Sequence, residues 1–463
     1  MIFEQYYLEC LSQASYLIAD ETTGRGIVVD PRRDIEQYLE SAKEHDATIE
    51  LVVETHFHAD FLSGHLELAK ATGAEIAFGS HANPEFVARA LHDGERISLG
   101  QVTLEIRETP GHTPESISIV VYEHPDDMVP YGVLTGDTLF IGDVGRPDLL
   151  SSVGVTSYDL ANMLYDSLNH KLMTLPDVTR VFPGHGAGSA CGKNLSTDLS
   201  STIGEQRASN YALQPMSRDE FVSVVTEGQP TVPAYFGYDA LRNRESHALL
   251  EEHEHPQPLT IAGALEYERG GAVLLDTRDV NAFATGGLVG SVNVGLEGRY
   301  AQYVGSVVYP DEQIVLLAEP GTELEAKVRL GRIGYDRVVG YVENLYAAFQ
   351  ENPELVQVAS RLTAGALDER RRTIPGLQVV DVRNAGEVEE GSIPGAANIP
   401  LPVLRDGMTT LDPSRPTVVF CAGGYRSSIA ASLLRHAGFK DVSDVLGGYR
   451  ALHAAQTGKA VSR

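Results

Sequence analysis

The chain has 463 residues, with 36 Lys and Arg against 64 Asp and Glu, for a formal net charge of −28 at pH 7. This length exceeds one hydrophobic core and predicts roughly three domains, while 43% hydrophobic and 22% charged residues exclude wholesale disorder. A phosphate backbone or an anionic lipid surface repels so acidic a chain, so neither nucleic acid nor membrane is expected as a partner.

No Lys or Arg precedes Arg25, and Glu4 and Glu9 stand where a signal peptide needs positive charge. No apolar run approaches the roughly 18 residues needed to span a bilayer. Cys10, Cys191 and Cys421 are odd in number and far apart, which reads as free thiols in a reducing cytoplasm and not as a disulfide framework. Cys10, beside an apolar strand, is expected in the core.

Taken in chain order, short apolar runs predict strands at 15–19, 26–30 and 50–54, with a helix between them from Ile35 to Lys43. The charged, proline-containing stretch 251–258 predicts a linker, in which His253 and His255 read as solvated residues. Beyond it the chain repeats itself at a spacing of about a hundred residues. Leu275-Asp276-Thr277-Arg278 recurs as Val380-Asp381-Val382-Arg383, and Ala262-Gly263-Ala264-Leu265 as Ala364-Gly365-Ala366-Leu367. Each copy predicts a small α/β domain with a largely parallel sheet.

Four loops carry metal-ligand residues. His56-Phe57-His58-Ala59-Asp60 follows the 50–54 strand, and Pro110-Gly111-His112, Thr135-Gly136-Asp137 and Pro183-Gly184-His185 each place a ligand type in a Gly turn after an apolar run. Glycine lets a ligand-bearing loop approach a metal closely. Together these loops resemble the metallo-β-lactamase superfold, an αββα sandwich with metal between its sheets. Its usual first motif is His-X-His-X-Asp-His, but Phe61 stands at the sixth position. Loss of that imidazole favours a single metal over two.

The rest of the pattern is similar to the persulfide dioxygenases. That resemblance implies one non-haem iron(II) per chain on His56, His112 and Asp137, two His and one carboxylate with open positions for O₂ and substrate. His58, Asp60 and His185 are then implied to orient ligands and waters, although the residues alone leave His58 open as a ligand. Arg146, in Gly145-Arg146-Pro147-Asp148, matches an Arg expected near the anionic part of a thiol substrate. Cys191 lies in a Gly-rich loop near Lys193, where a lowered pKa and an accessible thiol would suit sulfur handling.

Cys421-Ala422-Gly423-Gly424-Tyr425-Arg426-Ser427 follows one apolar run and opens a helical pattern. Unpaired N–H groups, the helix dipole and Arg426 are expected to lower the Cys421 pKa and to cradle an anionic sulfur. The motif resembles the active loop of rhodanese sulfurtransferases, with Cys421 and Arg426 catalytic and Gly423, Gly424 and Tyr425 around the substrate. In the first copy Ala318 stands at the cysteine position, followed by Glu319, so that copy is expected to be catalytically silent.

As a whole the chain resembles bacterial persulfide dioxygenase–rhodanese fusion proteins. The resemblance implies an α/β multidomain protein: a metallo-β-lactamase αββα sandwich over 1–250, an inactive rhodanese-like domain over 257–356 and an active rhodanese domain over 357–463. Small thiol persulfides, O₂, sulfite and thiosulfate are its expected reactants, and a homo-oligomer is expected. The competing expectations are a two-zinc thioester hydrolase of the glyoxalase II type and a non-catalytic sulfur carrier.

Overall fold

The computed structural model describes residues 1–149 and 155–457. They form two compact units, Met1–Glu251 with Gly331–Gly334, and Glu252–Leu330 with Tyr335 onward.

In the first unit the apolar runs become strands because each has a buried face to fill. Gln13–Ala19 is buried along its whole length, and Arg25–Val29 and Thr48–Val53 follow it in one six-stranded sheet. A second six-stranded sheet takes Thr103–Glu108, Ile117–Tyr122, Gly132–Gly136 and Arg180–Pro183 as neighbours. Side chains of the two sheets meet in one core, with Tyr16, Ile27 and Val53 from the first against Leu104, Ile119, Leu134 and Phe182 from the second. Helices Glu36–Glu44 and His65–Thr72 cover the outside of the first sheet through Tyr38, Ala42 and Leu68. Helices Ser157–Ser167 and Arg218–Thr226 cover the second through Leu160, Leu164, Phe221 and Val225. The layering is αββα.

This layering places the candidate ligands together. Thr103–Glu108 and Gly132–Gly136 each pair antiparallel with the strand between them, and Arg180–Pro183 runs parallel to Gly132–Gly136. All three therefore end at the same edge of the sheet, where His112, Asp137 and His185 follow.

The second unit contains two five-stranded, wholly parallel sheets. In chain position their strand orders are the same: Pro258–Leu259, Val338–Val342, Ile314–Leu317, Val273–Asp276, Val292–Asn293, and then Ser360–Leu362, Val442–Val445, Thr417–Phe420, Gln378–Asp381, Ala397–Asn398. The duplication extends to buried polar groups. Arg278 Nε donates to Asp276 and Arg383 Nε to Asp381, each at 3.0 Å, and each arginine also donates to a carbonyl at 2.8 Å, that of Gly286 or Gly391. Among the described residues no helix is long and apolar enough to cross a membrane.

Candidate metal centre and thiol loop

His56, His112 and Asp137 are buried, and one ligand atom from each lies within 4.8 Å of the others. Hydrogen bonds to the other ring nitrogens decide which atoms face inward. Thr55 Oγ1 donates to Asp30 Oδ2 (2.9 Å) and therefore accepts from His56 Nδ1 (2.9 Å). His112 Nδ1 donates to the Arg146 carbonyl at 2.9 Å. Each ring thus keeps its proton on Nδ1 and turns the Nε2 lone pair to the centre, the tautomer a metal needs. Burial pushes both imidazoles below their usual pKa, with His58 adding to the effect on His56, so both stay neutral.

Burial alone would raise the Asp137 pKa, but the imidazoles of His185, His56 and His112 outweigh it and hold this carboxylate well below its usual range. Its Oδ1 takes the His185 Nδ1 proton at 2.8 Å, while Oδ2 accepts no hydrogen bond among the described residues and lies 3.8 Å from His56 Nε2 and 3.6 Å from His112 Nε2. An orphaned buried carboxylate oxygen facing two imidazole lone pairs fits a cation of the transition-metal class.

His185 is held between two carboxylates, with Nε2 2.8 Å from Asp60 Oδ2. Burial opposes its protonation, yet Asp137 and Asp60 raise its pKa well above the ordinary histidine value. Its Nδ1 bond orients the Asp137 carboxylate. His58 belongs to a different group. Its Nε2 faces Asp30 (3.2 Å) and Glu54 (3.5 Å), and it clusters with those acids and not with His56. The Phe61 ring is fully buried, 4.3 Å from the His58 ring.

Close backbone approach holds the loops in place. A Cβ on Gly145 would sit 1.8 Å from the Asp137 carbonyl, and one on Gly184 would sit 2.7 Å from Asp137 Oδ1. Alanine fits at neither position.

Three expectations need correction. The Arg146 guanidinium does not face an open site: it is 2% exposed, clamps Asp148 through Nε and Nη2, and donates through Nη1 to the carbonyls of Ala190 and Pro230. Its contribution to the site is the backbone carbonyl under His112, which the motif did not reveal. Cys191 is neither exposed nor activated. Burial pushes its pKa well up, Asp60 and Asp137 push it further, and the Lys193 ammonium donates instead to the Val224 and Glu227 carbonyls. The thiol lies beside Asp60 and His185, close to the metal centre. Cys10, expected in the core, is only half-buried.

In the second unit Cys421 is buried, with its Sγ accepting the Gly424 N–H at 3.1 Å and lying 3.5 Å from Ser427 Oγ. Helix Tyr425–His436 starts at Gly424, whose φ is +104°. A second helix, Gly448–Thr457, braces the loop from behind, since the Tyr449 N–H donates to the Cys421 carbonyl (2.6 Å) and the Arg450 N–H to that of Ala422 (3.1 Å). Arg426 does not point free into this loop: both its Nη atoms bond Glu387 at 2.7 Å. The Tyr425 hydroxyl is also engaged, donating to Gly295 of the preceding repeat at 3.1 Å. Gly423 faces open space. The paired registers Asp381↔Phe420 and Asp276↔Leu317 place Ala318 where the second copy has Cys421.

Residues 8–185 match the metallo-beta-lactamase superfamily, and residues 363–455 match the rhodanese-like domain. A structure titled metallo-beta-lactamase from Staphylococcus aureus superposes with a TM-score of 0.66 at 32% identity, covering 73% of this chain and 98% of that one. The chain belongs to the metallo-beta-lactamase superfamily. Its first unit has that family's fold, and a rhodanese-like domain follows it. Within the superfamily, a hydroxyacylglutathione hydrolase of Rhodospirillum rubrum is 33% identical over 49% of this chain and 80% of its own length. The mitochondrial persulfide dioxygenase ETHE1 of Bos taurus is 29% identical over 46% of this chain and 75% of its own. The buried His and Asp groups at the sheet edge are the candidate metal ligands of this family member.

Proposed function

We propose that this protein oxidises the terminal sulfur of low-molecular-weight thiol persulfides with O₂, at one iron(II) held by His56, His112 and Asp137, and passes sulfane sulfur through Cys421. The reaction balances as RSSH + O₂ + H₂O → RSH + SO₃²⁻ + 2H⁺, with the sulfane sulfur losing the four electrons that O₂ gains. The observation that carries the reading is the composition of the inner group. His58 is turned to Asp30 and Glu54, and Phe61 fills the sixth motif position, which leaves His56, His112 and Asp137 as a two-His, one-carboxylate set suited to a single metal.

Iron(II) in that set would supply the O₂ chemistry. The chain supplies the rest. Thr55 and the Arg146 carbonyl fix the two imidazole tautomers, and His185 Nδ1 donates to Asp137 Oδ1, which orients that carboxylate, while its Nε2 lies 2.8 Å from Asp60 Oδ2. At the other site a persulfide on Cys421 would transfer its outer sulfur, Cys–S–S⁻ + SO₃²⁻ → Cys–S⁻ + S₂O₃²⁻, with the Gly424 N–H directed at Cys421 Sγ.

Metal analysis with an oxygen electrode tests the reading. Purified protein should hold about one iron per chain, and His112→Ala or Asp137→Ala should lose both the iron and persulfide-dependent O₂ uptake, while Cys421→Ser keeps both. The R. rubrum relative supports a competing reading, a two-zinc thioester hydrolase. Two zinc ions per chain with thioesterase activity would establish it and reject ours.

A further inference from the structure

Beside the metal centre lies a cavity of about 370 Å³, lined in part by Phe57, His81, Asn83, Glu115, Leu241 and Arg244. Phe57 and Glu115 belong to the loops that carry His56 and His112, and the Glu115 carboxylate ties those loops together by accepting the Phe57 N–H at 3.0 Å. The volume is at the lower end for small-molecule sites, and its walls mix apolar surface with a few polar groups, as such sites do.

The charge inside it is unusual for this molecule. In a chain of net charge −28, the half-buried Arg244 guanidinium has no ion pair and no hydrogen bond among the described residues. It lies over the Phe57 ring, 5.6 Å from the centroid. Among the described residues Glu115 is the one acid in the lining. Burial raises its pKa while the nearby Arg244 charge opposes that rise, and its Oε1 is engaged by the Phe57 N–H, with no ion pair between Glu115 and Arg244 among the described residues. His81, at the exposed rim, is 3.7 Å from Glu108. A stacked, unpaired guanidinium in a concave site is suited to a carboxylate or phosphate, which it can grip through paired N–H groups.

From this we infer that the cavity binds the tail of the substrate thiol and that Arg244, not Arg146, selects for a tail ending in an anion. The inference rests on the persulfide reading for the reacting end of the substrate, but tail binding can be measured without turnover.

The experiment uses the full-length, iron-loaded protein. Calorimetry measures binding of glutathione (carboxylates), coenzyme A (phosphates) and 2-mercaptoethanol (neutral), and an oxygen electrode measures KM and kcat for their persulfides. Arg244→Gln should weaken at least one anionic probe by roughly ten- to hundredfold, as loss of a charged hydrogen-bonding partner does. KM should rise with kcat nearly unchanged, the neutral probe should not move, and Arg244→Lys should recover part of the loss. The more affected anionic probe identifies carboxylate or phosphate as the recognised group. Asn83→Asp, at an exposed lining position, adds an opposing charge without removing a packed side chain and should weaken the same probe.

Equal losses for neutral and anionic probes, or anionic binding unaffected by either substitution, would overturn the inference. If no persulfide drives O₂ uptake while the Arg244 dependence of thiol binding persists, the reaction is wrong and the site stands.

Discussion

Single polar residues do much of the joining in the first unit, and Asp20 is a clear case. Its Oδ1 accepts from the Thr22 and Thr23 N–H groups and the Thr22 hydroxyl, while Oδ2 accepts the Val102 N–H at 2.8 Å in the chain leading into the second sheet. Burial alone would raise the Asp20 pKa, but these donors outweigh it and hold the carboxyl well below the usual range. A depressed folded-state pKa contributes stability that is complete above the unfolded value of about 3.9 and is lost as pH falls through the folded one. We therefore expect Asp20→Asn to cost about 1.5–3 kcal/mol at pH 7. The gap from wild type should narrow as the pH drops below about 4, and urea melts of the two proteins at pH 7 and pH 3 check this. A gap that does not change with pH would show that the charge is not what matters. Asp20 carries no motif, and nothing in its local sequence marks it, because its fourth donor comes from Val102, far along the chain.

Elements show a different balance between what is local and what is not. The strand-to-helix turn at Cys421 was legible because an apolar run, a Gly pair and a helical pattern follow one another directly. Its brace was not, because helix Gly448–Thr457 reaches the loop only after the sheet has formed. Gly448 makes that approach feasible: with φ at +55°, its missing Cβ would lie 2.2 Å from the Cys421 carbonyl and 2.8 Å from Ala422. We expect Gly448→Ala to lower stability by about 1–2 kcal/mol from the left-handed backbone alone. It should also abolish thiosulfate:thiol transfer, because the clash falls on the carbonyl of the reacting residue. Gly423→Ala, in open space, should be mild by comparison. A melt and a transfer assay on the two variants side by side test this, and a Gly448→Ala protein with normal transfer would rule out the brace.

Across the whole molecule, a metallo-beta-lactamase fold and a rhodanese-like domain share one chain. We expect the first repeat to be silent, because register puts Ala318 at the cysteine position and the neighbouring Glu319 carboxylate bonds the Tyr346 hydroxyl. Cys421→Ser alone should therefore eliminate sulfurtransferase activity, and residual transfer would point to another thiol. Tethering on one chain raises the effective concentration of a sulfite source and a persulfide acceptor towards the millimolar range when the linkage allows them to meet. We expect the intact protein to turn persulfide and O₂ largely into thiosulfate, and Cys421→Ser to release mainly sulfite at a similar O₂ uptake rate. Product analysis of the two proteins decides the point.

By itself, the sequence determined the features whose causes lie close together along the chain. Apolar runs with Gly turns placed the strands and their ligand loops, the hundred-residue echo announced two sheets of the same strand order, and Phe61 declared the missing imidazole. Tertiary structure alone decided which way each polar side chain turns. Arg146 looked like a substrate contact until the fold brought Asp148, Ala190 and Pro230 around it, and Cys191 looked exposed until burial beside Asp60 raised its pKa. His58 went to Asp30 and Glu54 because the strands beneath it deliver two buried acids to that ring. Arg244, silent in sequence, lies over the Phe57 ring and forms no ion pair among the described residues, because the one acid beside it in the cavity, Glu115, accepts the Phe57 N–H instead. Hydrogen-bond and charge partners are chosen by proximity in space, and for buried groups a missing partner costs more than local preference can offset.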